Sequence, residues 1–377
     1  MRSWPAEGPR RLWSASGLGR GAAGASVSNQ TVYTTGLIDK TGYAFAFDTS
    51  GRLKWKSSYG SEWHRFLPGA RSTPTYDNGR IYVISGTGNI VCMDAEQGTL
   101  IWSVDMVKRF GANCGRIGLA ESPLIVEDKV ICTPGGSGAT IAALDKLTGR
   151  TVWIADTKQQ RAACSPILVN RGGRRIIVTM LRDNLVGLDA QTGTLLWKDR
   201  FEEYQNIVKG VNFVSPVYSN GRLYSTSGDN NGGAMHKLSE DGTSITRLWT
   251  DATLDCHHGG VVYVDGHIYG SNFRSLFSGD WVCLGWDSGE VMYEHRWRCK
   301  GSVIYADGML YCYEEKTGYI ALVRPTPDRF EIVSSFQIRE GDGRHLAHPA
   351  IADGVLYIRR GDSLTAWDIS AKTFIAK

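Results

Sequence analysis

Polar and ionisable side chains recur at one position of a repeated sequence pattern, and these residues could do chemistry. The position lies just before a Ser-Pro dipeptide or its equivalent in successive repeats. If the repeats bring them together, their charged and amide groups would form a site for an anionic or polar ligand. The candidate ligand-binding residues are Arg71, Glu121, Asn212, His257, His258, Lys300, His345 and His348.

Histidines form two pairs in this set, His257-His258 after Cys256 and His345 with His348. Imidazole nitrogens bind zinc and other transition metals when they converge on one point. The alternative is that each histidine forms local hydrogen bonds or faces solvent. The sequence favours the alternative, so these four histidines are weak candidates for a metal site.

Other motifs that carry chemistry are weak or absent. Asp229, Asn230 and Asn231 offer oxygens that could bind calcium, but their spacing is not that of an EF-hand and favours a turn-rich hairpin. The sequence has no Gly-x-Ser-x-Gly motif, no Ser-His-Asp order and no Gly-x-Gly-x-x-Gly motif in a strand-to-helix setting. We therefore predict no catalytic residue.

The elements that must position these residues are short strands in a repeated unit. The segment Ala142–Trp153 predicts a strand, an Asp with a Thr-Gly turn, and a second strand that ends in Trp. Gly supplies the positive φ of the turn, Asp accepts hydrogen bonds from its amides, and Trp packs flat on a neighbouring unit. The motif is therefore structural. The Trp lies four residues after the Gly in the copies that end at Trp55, Trp102, Trp153 and Trp197.

A second sequence motif occurs eight times between these units and consists of a strand, a turn with Gly and another strand. Examples are the copies around Gly79, Gly221 and Gly354. Together the two motifs give four short strands in about 45 residues. This pattern predicts an all-β fold, an eight-bladed β-propeller with four-stranded antiparallel blades. An open solenoid of short parallel coils fits less well. Residues just before the inner strand of each blade would gather at one mouth of the central channel.

The last repeat stops after Asp368 without its final strand, whereas the chain begins with Arg11-Leu12-Trp13, a strand of the missing type. We predict that an N-terminal strand around residues 10–16 completes the blade that ends near residue 370. Such closure removes the free sheet edges that an open stack would expose. The whole chain, residues 1–377, then forms a single propeller domain.

Composition excludes several classes of protein. The net charge of +4 is too small to indicate nucleic-acid binding, and no apolar run of transmembrane length occurs. The N-terminus lacks the apolar core of a signal peptide. Among the eight cysteines, Cys92 and Cys283 occupy equivalent places in separate repeats, and so do Cys132 and Cys312, which predicts mostly buried thiols rather than a disulfide framework.

The phrase Ala-Leu-Asp-x-x-Thr-Gly-x-x-x-Trp, in series along essentially the whole chain, resembles the PQQ-like (quinoprotein-type) propeller repeat. The resemblance implies an eight-bladed propeller with tryptophan-docking contacts. The family includes quinoprotein alcohol dehydrogenases, which hold pyrroloquinoline quinone and calcium over the channel, and BamB, a non-enzymatic scaffold in outer-membrane protein assembly. WD40 propellers have a similar period, but Trp-Asp occurs too sparsely, at 286–287 and 367–368.

The resemblance implies a periplasmic or extracellular protein. The adjacent cysteine pair of the dehydrogenases is absent, and no calcium-binding set of Glu, Asn and Asp is evident. We therefore expect a monomeric, non-catalytic binding or scaffold propeller without cofactor, with a protein or polysaccharide partner at the rim. A quinone- or metal-dependent oxidoreductase is the alternative, and only the family resemblance suggests pyrroloquinoline quinone and calcium.

The insert of residues 57–70 carries Tyr59, Trp63, His64 and Phe66 and has no counterpart in the other repeats. Such an aromatic loop could be a contact surface for a partner or a sugar. Packing over its own blade is the favoured interpretation.

Overall fold

A computed structural model describes residues 3–201 and 212–370. The strands form eight antiparallel sheets of four strands, and each sheet is one blade. The first strand of blade 1 contacts the first strands of blades 2 and 8, so the sheets close into a ring. The predicted all-β, eight-bladed propeller is confirmed.

The first strand of the chain, β1 (Arg10–Ala15), precedes blade 1. Blades 1 and 2 contain β2 (Ser26–Ser28), β3 (Thr31–Ile38), β4 (Thr41–Asp48), β5 (Leu53–Ser61), β6 (Thr75–Asp77), β7 (Arg80–Ile84), β8 (Asn89–Asp94) and β9 (Leu100–Asp105). A short helix, α1 (Met106–Phe110), follows. Blades 3 and 4 contain β10 (Leu124–Val126), β11 (Lys129–Cys132), β12 (Ile141–Asp145), β13 (Thr151–Ala155), β14 (Ile167–Arg171), β15 (Arg174–Met180), β16 (Asn184–Asp189) and β17 (Leu195–Arg200).

The second half of the ring repeats this order. Blades 5 and 6 contain β18 (Val217–Ser219), β19 (Arg222–Thr226), β20 (Gly233–Leu238), β21 (Ile245–Asp251), β22 (Val261–Val264), β23 (His267–Ser271), β24 (Trp281–Gly285) and β25 (Val291–His295). Blade 7 contains β26 (Gly301–Ala306), β27 (Met309–Glu314), β28 (Tyr319–Arg324) and β29 (Glu331–Gln337). Blade 8 contains β30 (Ala350–Ala352), β31 (Val355–Arg360) and β32 (Ser363–Asp368), together with β1.

The middle strands of each blade are buried on both faces, whereas the outer strands alternate between buried and exposed residues. In β13 the buried Trp153 lies between Val152 and Ile154, which are exposed. The hydrophobic clusters span two blades, since Trp153 of blade 3 packs with Ile177 and Leu188 of blade 4. Blade-to-blade contact therefore holds the ring together.

Tryptophans fasten six of the eight blades, blades 1 to 5 and blade 8, to the next one, as the repeat predicted. The indole Nε1 of Trp102 donates to the carbonyl of Lys146 at 3.0 Å, and that of Trp153 donates to Ala190 at 3.2 Å. A Cβ added to Gly193 would lie 2.4 Å from the Trp153 ring. The turn glycine is thus needed for contact with the preceding blade as well as for its positive φ.

Blade 8 is closed by both ends of the chain. Strand β1 pairs with β32, with Arg10 opposite Asp368 and Ala15 opposite Leu364. Trp13 donates to the carbonyl of Thr49 in blade 1 at 2.9 Å. The predicted sharing of the last blade is confirmed. The single-domain assignment extends to residues 1–2, 202–211 and 371–377, which lie outside the described residues.

All eight cysteines are free thiols, and all except Cys114 are buried, as predicted. Within the described residues, no helix is long and apolar enough to cross a membrane.

Candidate binding site at the channel mouth

A cavity of about 620 Å³ lies at one end of the ring, where the segments that precede the first strands of the eight blades meet. This volume is in the range of ligand-binding cavities. The predicted gathering of these segments at one mouth is therefore found. The lining includes Gly24, Thr73, Ser122, Ser165, Phe213, Gly260, Lys300 and Leu346, one from each segment.

Five of the eight candidate residues line this cavity: Arg71, His257, His258, Lys300 and His348. The other three are buried beside it in hydrogen bonds within the fold. Asn212 donates from Nδ2 to the carbonyl of Leu181 at 2.7 Å, and His345 Nδ1 contacts the hydroxyl of Tyr313. The ligand-binding role of the eight residues stays a prediction.

Glu121 is the third buried candidate, with 3% of its surface exposed. Its carboxylate accepts hydrogen bonds from the backbone N–H and the hydroxyl of Thr133. Burial raises its pKa to about 7, against the opposing effect of the Thr133 hydrogen bonds. Glu121 therefore titrates near neutral pH inside the fold.

Three of the four candidate histidines converge in the cavity, whereas His345 does not. His257 and His258 approach Nδ1 to Nδ1 at 3.0 Å, and His348 Nε2 donates to the carbonyl of His258 at 2.8 Å. The His257 ring stacks between Phe213 and Phe273, with centroid distances of 4.9 and 4.8 Å. Burial, followed by the nearby charges of His258 and Lys300, lowers the pKa of His257 to about 3.

A buried carboxylate, Glu315, organises the positive groups of the mouth. It is in ion-pair contact with Lys300, lies 2.8 Å from Arg344 Nη2 and lies 2.9 Å from His258 Nε2. Burial opposes its ionisation, but the hydrogen bond and charge of His258 and the charge of Lys300 together lower its pKa to about 2. Glu315 is thus an anion that fixes three cationic or polar side chains.

Sequence reasoning missed Glu315 and Arg344. The signal for Glu315 was a pair of acidic residues, Glu314-Glu315, directly after an apolar strand. Arg344 directly precedes the candidate His345, but the two side chains point in different directions. Arg344 lines the cavity, whereas His345 contacts Tyr313 inside the blade.

Two loops frame the mouth with exposed apolar tips. The 57–70 insert packs through Tyr59 and Trp63, which are buried, as the favoured interpretation held, but it exposes Phe66 and Leu67. Between β23 and β24, Leu276 and Phe277 are also exposed. Leu67, Leu276 and Phe277, at 60%, 57% and 53%, are the most exposed large apolar side chains of the described residues. Leu67 and Leu276 also line the cavity.

Buried carboxylates anchor both loops. Glu62 accepts from the N–H groups of Trp63 and Gly86, both at 2.6 Å. Asp280 forms ion pairs with Arg274 at 2.6 Å and with Arg296 at 2.7 Å. The exposed tips are therefore held on ordered bases.

The donor set does not fit a metal ion. In residues 3–201 and 212–370, no group of three or more His, Cys, Asp or Glu could hold one. The Asp229–Asn231 turn is no exception, because its backbone N–H groups at Asn230 and Asn231 donate to the carboxylate of Asp255 at 2.8 and 2.9 Å. A site that presents N–H groups disfavours a cation.

Glu121→Gln is expected to remove a pH dependence of stability. A carboxyl group whose pKa is raised in the folded state stabilises the fold less as pH rises from its unfolded value, about 4.5, through about 7. The free energy of unfolding of the variant, relative to that of the wild type, should therefore increase from pH 5 to pH 8, by at most about 3 kcal/mol. Urea unfolding at both pH values measures the difference. An equal pH dependence in the two proteins would contradict the raised pKa.

The family model described as outer membrane protein assembly factor BamB matches residues 40–321. A BamB of that description from Bordetella pertussis is 26% identical over 154 residues, which are 41% of this chain and 36% of the relative. The match with BamB of Yersinia pestis covers 48% of that protein, so the chain spans half or less of the curated relatives it matches.

Solved structures share the fold. BamB from Moraxella catarrhalis has a TM-score of 0.71 and 16% identity, with 96% of this chain and 98% of that chain covered. A quinohemoprotein alcohol dehydrogenase from Pseudomonas putida HK5 has a TM-score of 0.63 and 12% identity, with 97% and 78% covered. At these identities the likeness concerns the fold alone. Because the family model covers most of the repeats, the chain belongs to the PQQ-like propeller family of outer membrane protein assembly factor BamB.

Proposed function

We propose that this protein is a non-catalytic scaffold that binds another protein at the channel mouth and its rim. The observation that carries the proposal is the combination, at one end of the ring, of exposed apolar tips and positive side chains. Leu67, Leu276 and Phe277 are held on ordered loops beside Arg71 and Arg344. Apolar side chains with neighbouring arginines are typical of protein interfaces. Family membership supports a role of this kind in the periplasm.

The oxidoreductase alternative is less well supported by the residues of the mouth. Calcium would need a free carboxylate and a set of further oxygen ligands from the protein. Glu315 is engaged by Lys300, Arg344 and His258, and no carboxylate lines the cavity among the described residues. We therefore propose a function without calcium or a quinone cofactor. A likeness of fold to dehydrogenases does not imply their chemistry.

Photo-crosslinking tests the rim as the binding surface. A photoreactive amino acid placed at Phe66 or Phe277 in the full-length protein, expressed in its native cells, is expected to give one discrete crosslinked protein. The reason is that both side chains are about half exposed beside the mouth, at 49% and 53%. Denaturing gels and mass spectrometry of the adduct provide the measurement.

Val291 and Leu53 provide the matched controls, since they are exposed apolar residues, at 43% and 48%, on outer strands away from the mouth. They should not give the adduct. The same adduct from the outer strands, or none from either rim position, would refute the rim as the binding surface.

A further inference from the structure

The lining of the channel mouth is rich in hydrogen-bond donors and contains no carboxylate among the described residues. It presents three positive side chains, Arg71, Lys300 and Arg344. The carboxylates that interact with them, Glu62, Glu315 and Asp229, are not part of the lining. A ligand that enters the cavity therefore meets N–H donors without an anion beside them.

Arg344 is the positive group most available to a ligand. Only its Nη2 is engaged within the described residues, by Glu315 and by the carbonyl of Leu276 at 3.1 Å. Its side chain is 37% exposed, and its guanidinium lies 5.1 Å from the centre of the Phe277 ring. Lys300, by contrast, is only 3% exposed and is fixed by Glu315. Arg344 thus offers free N–H groups next to an apolar tip.

The shape of the mouth favours an extended occupant. A second cavity of about 430 Å³ shares Leu67, Arg71, Arg344 and Leu346 with the first. The two cavities therefore form one groove that leads from the channel across the rim between blades 8 and 1. Its walls carry apolar side chains at Leu67 and Leu346 and positive ones at Arg20 and Arg71, with Asp342 at the outer end.

We propose that the groove binds an extended acidic segment of a partner protein, with an Asp or Glu side chain hydrogen-bonded to Arg344 and flanking apolar residues on Leu67, Leu276 and Phe277. This inference rests on the proposed scaffold function and names the partner's chemistry. The Nε and Nη1 groups of Arg344 remain able to donate charge-assisted hydrogen bonds to a carboxylate. Charge complementarity selects an acidic segment, and the apolar tips select hydrophobic neighbours.

A peptide array tests this chemistry on the intact protein. Its pentapeptides carry a central Glu or Gln, flanked by every pair of residues. The Glu members are expected to bind about tenfold more tightly than their Gln partners, since one charge-assisted hydrogen bond is lost. Binding should be strongest with Leu or Phe beside the Glu and should weaken with salt. Fluorescence anisotropy on the best Glu and Gln pair gives the ratio.

Arg344→Gln should abolish the preference for Glu. Because Arg344 also contacts the buried Glu315 at 2.8 Å, we expect the variant to melt somewhat earlier, and its peptide binding is measured at a temperature at which it is fully folded. Arg324→Gln is the matched control, because Arg324 lines neither cavity and pairs with Glu331 within blade 7 at 3.0 Å. Phe277→Ser should weaken the binding of Glu and Gln peptides equally, and Val291→Ser is its control. Equal binding of Glu and Gln peptides, or a Glu preference that survives in Arg344→Gln, would overturn the proposal.

The outcomes separate this inference from the scaffold function. Crosslinks at Phe66 and Phe277 without a Glu preference would leave the rim function intact and reject the acidic segment. A Glu preference without rim crosslinks would reject the rim function instead. Alginate, an acidic polysaccharide, is included as a third probe. If it binds in an Arg344-dependent manner while the peptides do not, the occupant is not a protein segment.

Discussion

A protein that lacks residues 1–16 is expected to lose most or all of its cooperative unfolding transition. These residues supply β1, which pairs with β32 from Arg10 to Ala15, and they supply two tryptophans. Trp13 docks on blade 1, and Trp4, only 6% exposed, packs against Phe336. Burial of a tryptophan contributes about 3–5 kcal/mol and each backbone hydrogen bond about 1 kcal/mol. Their sum is comparable to the total stability of a domain.

Calorimetry of the truncated and full-length proteins measures this effect. Trp13→Ala should lower the melting temperature, but by less than the truncation does. Leu12→Ala should change the melting temperature little, because Leu12 is 36% exposed in the same strand. A synthetic peptide of residues 1–16 should restore the transition when it is added in excess. An unchanged melting curve after truncation would show that the chain termini do not close the ring.

The closure of the ring by the N-terminal strand could be predicted from the sequence, because the eighth repeat lacks its fourth strand. Each of the first seven blades ends with an outer strand of its own, whereas the sequence after Asp368 shows no segment of that type. To complete the eighth blade, another part of the chain must supply a strand that carries the docking Trp. The segment Arg11-Leu12-Trp13 meets this requirement. Strand period, turn glycines and docking tryptophans are local signals, so the architecture follows from them without side-chain detail.

The docking role survives in repeats where the spacing decays. Trp249 comes seven residues after Gly242, yet its indole donates to the carbonyl of Asp287 in the next blade at 3.1 Å. Gly289 lies against its ring, where an added Cβ would approach to 2.7 Å. A longer turn therefore shifts the tryptophan along the sequence while its place in space is kept.

The candidate site was only partly predictable. The repeat places eight segments at the mouth, but it does not specify which way each side chain turns. Glu121 turns back to Thr133 and His345 to Tyr313, because each finds a buried hydrogen-bond partner there. Glu315 follows the end of strand β27 and therefore lies outside the aligned segments that precede the first strand of each blade, yet its carboxylate contacts Lys300. Such choices depend on long-range partners that sequence spacing does not encode.

Lys300→Met is expected to destabilise the protein by about 3 kcal/mol at pH 7. Lys300 is 3% exposed and Glu315 is fully buried, so the substitution leaves a buried carboxylate without its buried positive partner. Arg344 and His258 remain beside Glu315 and offset part of the loss. A buried ion pair broken on one side costs more than the pair itself contributes, because the remaining charge cannot be hydrated.

The pH dependence identifies the cause. In the wild type the pKa of Glu315 is held at about 2, below its unfolded value, so its stabilising contribution is present above about pH 4.5 and is lost as pH falls toward 2. Loss of Lys300 raises that pKa, because one of the charges that lower it is removed. The deficit of Lys300→Met should therefore be largest near neutral pH and should shrink as pH falls from 6 to 3.

Urea unfolding of single and double variants separates the charge effect from a packing effect. Lys300→Met with Glu315→Gln should recover most of the stability, since neither buried charge then remains without a partner. Lys54→Met removes an exposed ion pair with Glu96 at 3.1 Å and should change stability by less than about 1 kcal/mol. If the double variant is no more stable than Lys300→Met, and the deficit does not vary with pH, the lysine stabilises the mouth by packing and not as the partner of Glu315.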